Sequence, residues 1–275
     1  MRIDHRWVKI WKRRFGQQPH ENHCIMIGVI ARHESASLLR SSQTWIMAAL
    51  LAGLFGFQFL KQLENFLIVQ SQLAAQDHPV GLTGYMAVRY LEPLALAFTL
   101  VAPLFAMRSF SDEFRQHTYT LWQSSPVSTL ALVVGKFLGI LMILSIMVLI
   151  AVFMLMIMQV FVSIDLPLVF SSTLGLLLCT AACASCGLYF SSLTQHSLVA
   201  IVASLALLFI SWMLGSASFG ALPLQGLKEL SIANHLRGFF QGFVQTRDIA
   251  FFALTTVLFL GLTIIRLDSL RQAGR

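Results

Sequence analysis

Charge is what this chain has least of. Asp, Glu, Lys and Arg make up 11% of its 275 residues against 57% apolar residues, whereas soluble domains carry about 25% charged residues. A water-facing surface cannot be built from that composition. Between Asp165 and Lys228 lie 62 consecutive residues without one of those four types, and lipid is the solvent that tolerates such a stretch. A phosphate-binding loop is missing too: Gly135-Lys136 is followed by Phe137, and Leu130 stands where the loop's first glycine belongs. The chain is therefore not an ATPase by itself. It has no Gly-x-Ser-x-Gly elbow and no His-Glu-x-x-His pair, so nothing recommends a soluble-type enzyme. Its four cysteines do not make a disulfide scaffold, because Cys179, Cys183 and Cys186 share one apolar run and Cys24 lies in a segment expected in the cytoplasm.

What is present is a series of long apolar runs. At roughly 20 residues per crossing of a ~30 Å hydrocarbon core, six spans account for most of the length and leave no room for a sizeable soluble domain. They are predicted at 43–62, 88–107, 134–161, 168–190, 197–216 and 249–266. The second must begin before Arg89 and Glu92, which pair or snorkel at the interface, and Pro93 and Pro103 predict an irregular helix. The polar run Ser191-Ser192-Leu193-Thr194-Gln195-His196-Ser197 divides spans four and five. In this arrangement fourteen of the 19 Lys and Arg fall on one side of the membrane and five on the other, while acidic residues divide six and six. The cation bias places both termini in the cytoplasm. The centres of all six spans lack Asp, Glu, Lys, Arg and His, which argues against an ion-driven carrier and for energy supplied from outside the bilayer.

Residues 1–24 form a basic amphipathic extension. Ile3, Trp7, Ile10 and Trp11 share one helical face and Arg2, Arg6, Lys9 and Arg13 the other, as in a helix lying on anionic lipid; a frayed tail and a start at Met26 are the alternatives. Residues 25–42 read as a second helix leading into span one. Two connections are long enough for structure of their own. In the cytoplasmic 108–128 connection, Ser109 followed by Asp112 looks like a capping-box start, Pro126 ends the run, and a short helix exposed at the membrane surface is expected. In the external 217–248 connection, Leu236, Phe239, Phe240 and Phe243 follow the i, i+3, i+4, i+7 spacing of one apolar helical face, which should lie in or dip into the outer interface.

Cys179, Cys183 and Cys186 also fall on one helical face, a spacing compatible with a soft metal. The surrounding Ala181, Ala182, Ala184, Ser185 and Gly187 favour close helix packing instead, and no metal site is assigned. His20, His23 and Cys24 lack a further ligand nearby.

From Met107 onward the residues resemble a known family. Glu113, Arg115, Thr118, Leu121, Pro126-Val127-Ser128 and Gly135-Lys136 are similar to the cytoplasmic connection of ABC-2 type permeases, such as those of the nitrous-oxide-reductase maturation and gliding-motility systems. Phe190-Ser191-Ser192-Leu193-Thr194 with Ala200, and later Leu230-Ser231, His235, Gly242 and Arg247-Asp248, continue the likeness. His117 departs from it, standing where those permeases carry glycine, and residues 25–106 match loosely. The resemblance implies an all-α, polytopic fold with six transmembrane helices in 43–275, preceded by a cytoplasmic elbow helix at 25–42. It implies a coupling helix within 108–128 that grips a separate ABC ATPase through Asp112, Glu113 and Arg115, with Thr118 and Pro126 shaping it. It also implies an external gate in 217–248 that includes Leu236, Phe239, Phe240 and Phe243. ATP and Mg belong to that ATPase; the chain itself holds no cofactor. The expected partners are the ATPase, a second permease copy or paralogue, and the lipid of a bacterial inner membrane, with no nucleic acid. Transport, in the export direction, is the function implied. A membrane scaffold that recruits soluble partners is the rival from another class.

Overall fold

The structure, a computed structural model, describes residues 23–73, 82–115, 128–157, 165–216 and 229–273. Nine helices are found among them: α1 (His23–Arg40), α2 (Ser42–Leu73), α3 (Leu82–Ala106), α4 (Arg108–Arg115), α5 (Thr129–Ile157), α6 (Leu166–Leu193), α7 (Ser197–Ser216), α8 (Ile232–Phe240) and α9 (Thr246–Ala273). Six of them, α2, α3, α5, α6, α7 and α9, are long and apolar enough to cross a membrane. At 1.5 Å per residue even α7, with 20 residues, reaches about 30 Å. The protein is an all-helical, multi-pass membrane protein.

The six runs read from the sequence correspond to these six helices in order, with shifted ends. The second begins at Leu82, and both Pro93 and Pro103 lie within one continuous helix, so the expected irregularity does not interrupt it. Proline removes a backbone donor, but a membrane helix tolerates this where neighbouring helices support the backbone. Pro103 has that support: a Cβ on Gly187 of α6 would come within 2.8 Å of its Cα. The polar run after α6 is indeed a break, with residues 194–196 outside any helix and α7 starting at Ser197.

α6 is the central element, packing against α3, α4, α5, α7, α8 and α9. Its small residues explain why. Cys179, Ala182, Cys183, Ala184, Ser185, Cys186 and Gly187 are all buried, and small side chains allow the close backbone approach that holds helices together in lipid, where no hydrophobic force drives them to associate. Cys179 Sγ lies 3.8 Å from Thr99 Oγ1 on α3. The three thiols therefore line a helix contact, and no group of three or more His, Cys, Asp or Glu among the described residues is placed to hold a metal.

Peripheral helices are sparsely covered. Trp45, Ile46, Leu50, Phe57 and Leu60 of α2, Leu198, Val202, Phe209 and Ile210 of α7, and Leu254, Val257 and Ile265 of α9 are exposed. In a membrane, apolar side chains facing outward have lipid or another helix as their solvent.

Candidate functional site

Two polar clusters stand at opposite ends of the bundle. The first assembles α1, α4, α5 and α6. α1 crosses α5 where α5 carries Gly135 and Gly139 one helical turn apart. A Cβ at Gly135 would meet Ile30 Cγ2 at 2.7 Å, and one at Gly139 would meet Glu34 Cβ at 2.7 Å, so glycine at both positions is what permits the approach. Beside this crossing Lys136 is nearly enclosed, at 4% exposure. An ammonium has three N–H donors and no acceptor. Lys136 Nζ has three acceptors: Glu113 Oε1 of α4 at 2.8 Å, the Ser109 carbonyl of α4 at 2.9 Å, and Glu34 Oε2 of α1 at 3.4 Å. Ser109 Oγ then donates to Glu34 Oε1 at 2.9 Å, and the Phe110 ring centroid lies 5.2 Å from Nζ. One cation thus joins three helices and faces two carboxylates.

α4 is held from a second side by Ser191 of α6. Its hydroxyl donates to the Met107 carbonyl at 2.7 Å and accepts the backbone N–H groups of Phe110 and Ser111, each at 3.1 Å. The opening N–H groups of any helix lack partners within it, and here a side chain from another helix supplies one. This corrects two readings. Ser109 is the second residue of α4 and donates to Glu34, so it does not cap the helix. Nor is α4 simply exposed: Ser109, Phe110 and Ser111 are buried, because Ser191 and Lys136 dock this face onto the bundle.

The three charged residues singled out in this stretch point in different directions. Glu113 turns inward to Lys136. Arg115 stays on the outer side, 65% exposed, and approaches the partly buried Asp112 at 4.0 Å. Thr118 and Pro126 lie outside the described residues, as does the rest of the connection to Val127.

At the opposite end α8 enters the bundle. Leu236, Phe239 and Phe240 are buried, Ser171 Oγ donates to the Phe239 carbonyl at 2.8 Å, and Gly175 leaves room for the Phe239 ring. Phe243 does not share this face. α8 ends in a left-handed turn at Gly242 (φ 83°), with Phe243 N–H donating to Gly238 O at 2.9 Å and Gly242 N–H to Phe239 O at 3.2 Å, the Schellman pattern of helix termination. The turn swings Phe243 outward to 67% exposure. A second polar knot fixes α8 to α9: His235 Nδ1 lies 2.6 Å from Asp248 Oδ1, His235 Nε2 lies 2.9 Å from the Glu229 carbonyl, and the imidazole stacks on Phe251 with centroids 4.1 Å apart. Arg247 pairs with Glu229 beside it.

Sequence reasoning noticed Gly135-Lys136, Ser191, His235 and Asp248 as pieces of a resemblance without seeing what they bind. For Lys136 a signal existed: it stands in an apolar run next to two glycines four residues apart, and a cation at the edge of a span needs partners. Glu34 carried no such mark.

No curated protein matches the chain. The sequence model of the family described as ABC-2 family transporter protein, however, matches residues 28–268, a stretch that takes in every described helix except the ends of α1 and α9. The helical architecture, the six spans and this match over most of the length agree, and the chain belongs to the ABC-2 transporter family, whose members are the membrane permease components of ABC transporters.

Proposed function

We propose that this chain is the permease subunit of an ABC exporter of the kind serving nitrous-oxide-reductase maturation and gliding motility, driven by ATP hydrolysis in a separate ATPase subunit that carries the ATP and Mg. The observation that carries the reading is α4. A short charged helix is clamped on its inner face by Lys136 and Ser191, while Arg115 is left outside with the partly exposed Asp112 beside it. A helix that only connected two spans would need no such clamp, whereas one that receives force from a partner must be rigidly seated. In this reading α1 is the elbow helix, α4 opens the coupling segment 108–128, and α8 belongs to an external gate. On the same reading α1, α4 and both termini lie in the cytoplasm and the membrane is a bacterial inner membrane; the cation bias of the sequence supports the orientation. The uncovered apolar faces of α2, α7 and α9 suit lipid and a second permease copy or paralogue.

The test is association with the ATPase. Complexes purified in mild detergent should retain a P-loop ATPase with the wild-type chain. Asp112→Ala with Arg115→Ala should leave the permease folded and weaken association roughly 30-fold, as expected for truncated charges at a partner interface, about 2 kcal/mol. On a solvated loop the same change would cost about 0–1 kcal/mol. Undiminished association of the double variant would remove α4 as the docking helix.

A further inference from the structure

Lys136 stands where α1, α4 and α5 meet at one end of the bundle, and two features make it more than an ion pair. Its three N–H groups meet acceptors on two different helices, Glu34 on α1 and both Glu113 and the Ser109 carbonyl on α4, while its own backbone belongs to α5. The Glu34 carboxylate also closes a ring, since its second oxygen accepts from Ser109 Oγ at 2.9 Å. Removing Lys136 would therefore leave two carboxylates facing each other in a largely enclosed site, and α1 and α4 would both lose their ionic ties to α5. A buried ion pair is weak grounds for stability, since an apolar replacement of similar volume often does as well; fixing one arrangement among several is the better-attested use. The glycines at 135 and 139 serve the same arrangement by letting α1 reach the site.

We propose that Lys136 is the positioning residue of the coupling device: it binds Glu34 and Glu113 so that α1, α4 and the foot of α5 move as one body, and a push delivered to α4 is passed directly to the elbow helix and the third span. The role rests on the permease reading given above. It assigns Glu113 an internal task distinct from that of Asp112 and Arg115, and it makes Lys136, which does not face the partner, indispensable to transmission.

The experiment is a spin-label distance measurement on the full chain in lipid nanodiscs, with labels at the exposed positions Arg32 on α1 and Arg108 on α4 and with Cys24 replaced by serine; the thiols of Cys179, Cys183 and Cys186 are buried. Distances are recorded for the permease alone, for its complex with the ATPase, and for the complex trapped with ATP and vanadate. The wild-type chain should give one narrow distribution, the same in all three states. Lys136→Gln should at least double its width and make the distance depend on nucleotide. Lys136→Arg, which keeps the charge, should restore the narrow distribution. A Lys136→Gln distribution as narrow and state-independent as wild type overturns the proposal, and so does a wild-type distance that changes on trapping. Should Lys136→Gln fail to insert, Glu34→Gln, which keeps the Lys136 and Glu113 pair, must broaden the distribution in the same way or the proposal falls. If no ATPase joins the wild-type chain, the permease reading fails, yet the widths measured on the permease alone still decide whether Lys136 holds α1 to α4.

Discussion

Ser191 does the work that a capping residue normally does from within its own helix. Its oxygen accepts from Phe110 and Ser111 while its proton goes to Met107, so one hydroxyl serves three backbone groups inside the bundle. Ser191→Ala keeps the volume almost unchanged and leaves those groups without it. The expected cost is about 1–3 kcal/mol, the usual penalty for stranding buried polar groups. Amide hydrogen exchange is the direct readout: Phe110 and Ser111 should exchange faster in the variant while the interior of α5 stays protected. The glycines of α5 make a complementary case. A side chain at Gly139 must displace Glu34, and Gly139→Leu is expected to cost about 1–3 kcal/mol through overpacking and to expose α1 to proteolysis ahead of the spans. Unchanged protease resistance of α1 would show that it can be seated some other way.

Among the elements, α8 separates what periodicity can and cannot tell. The spacing of Leu236, Phe239, Phe240 and Phe243 marked one apolar helical face, expected in or dipping into the outer interface; the structure instead covers that face through Phe240 inside the bundle. The spacing could not show that the helix stops there. Gly242 adopts φ 83°, a conformation open to glycine at little cost, and the chain turns before Phe243 can join the face. Phe239→Ala should therefore cost about 3–5 kcal/mol, typical of a buried aromatic, and Phe243→Ala no more than about 0.5 kcal/mol, as read from thermal unfolding in detergent. Equal effects would mean that Phe243 is covered in the assembled protein. α4 shows the opposite limit. A short helix beginning near Ser109 was legible, but its docking was not, since the partners Glu34, Lys136 and Ser191 lie 75, 27 and 80 or more positions away, and no local pattern encodes such pairs. The spans themselves were legible because lipid leaves so few alternatives to a long apolar helix.

For the molecule as a whole, orientation is the premise on which the elbow and coupling roles depend. It rests on fourteen cations against five, and it is checked by single cysteines in a chain with Cys24 replaced by serine. Gln241→Cys, at the exposed end of α8, should react with a membrane-impermeant thiol reagent added to intact cells, and Arg115→Cys on α4 should react once the membrane is opened and not before. Labelling of Arg115→Cys from outside would invert the protein and detach α4 from any cytoplasmic ATPase. As a permease this chain transmits the energy of ATP without hydrolysing it, and ATP hydrolysis by the purified permease before and after its copurifying partner is stripped away measures this directly. The mild-detergent preparation should hold a P-loop ATPase, and hydrolysis should vanish completely with its removal. Hydrolysis that persists in the homogeneous permease, or the consistent absence of any ATPase from the complex, would contradict that role.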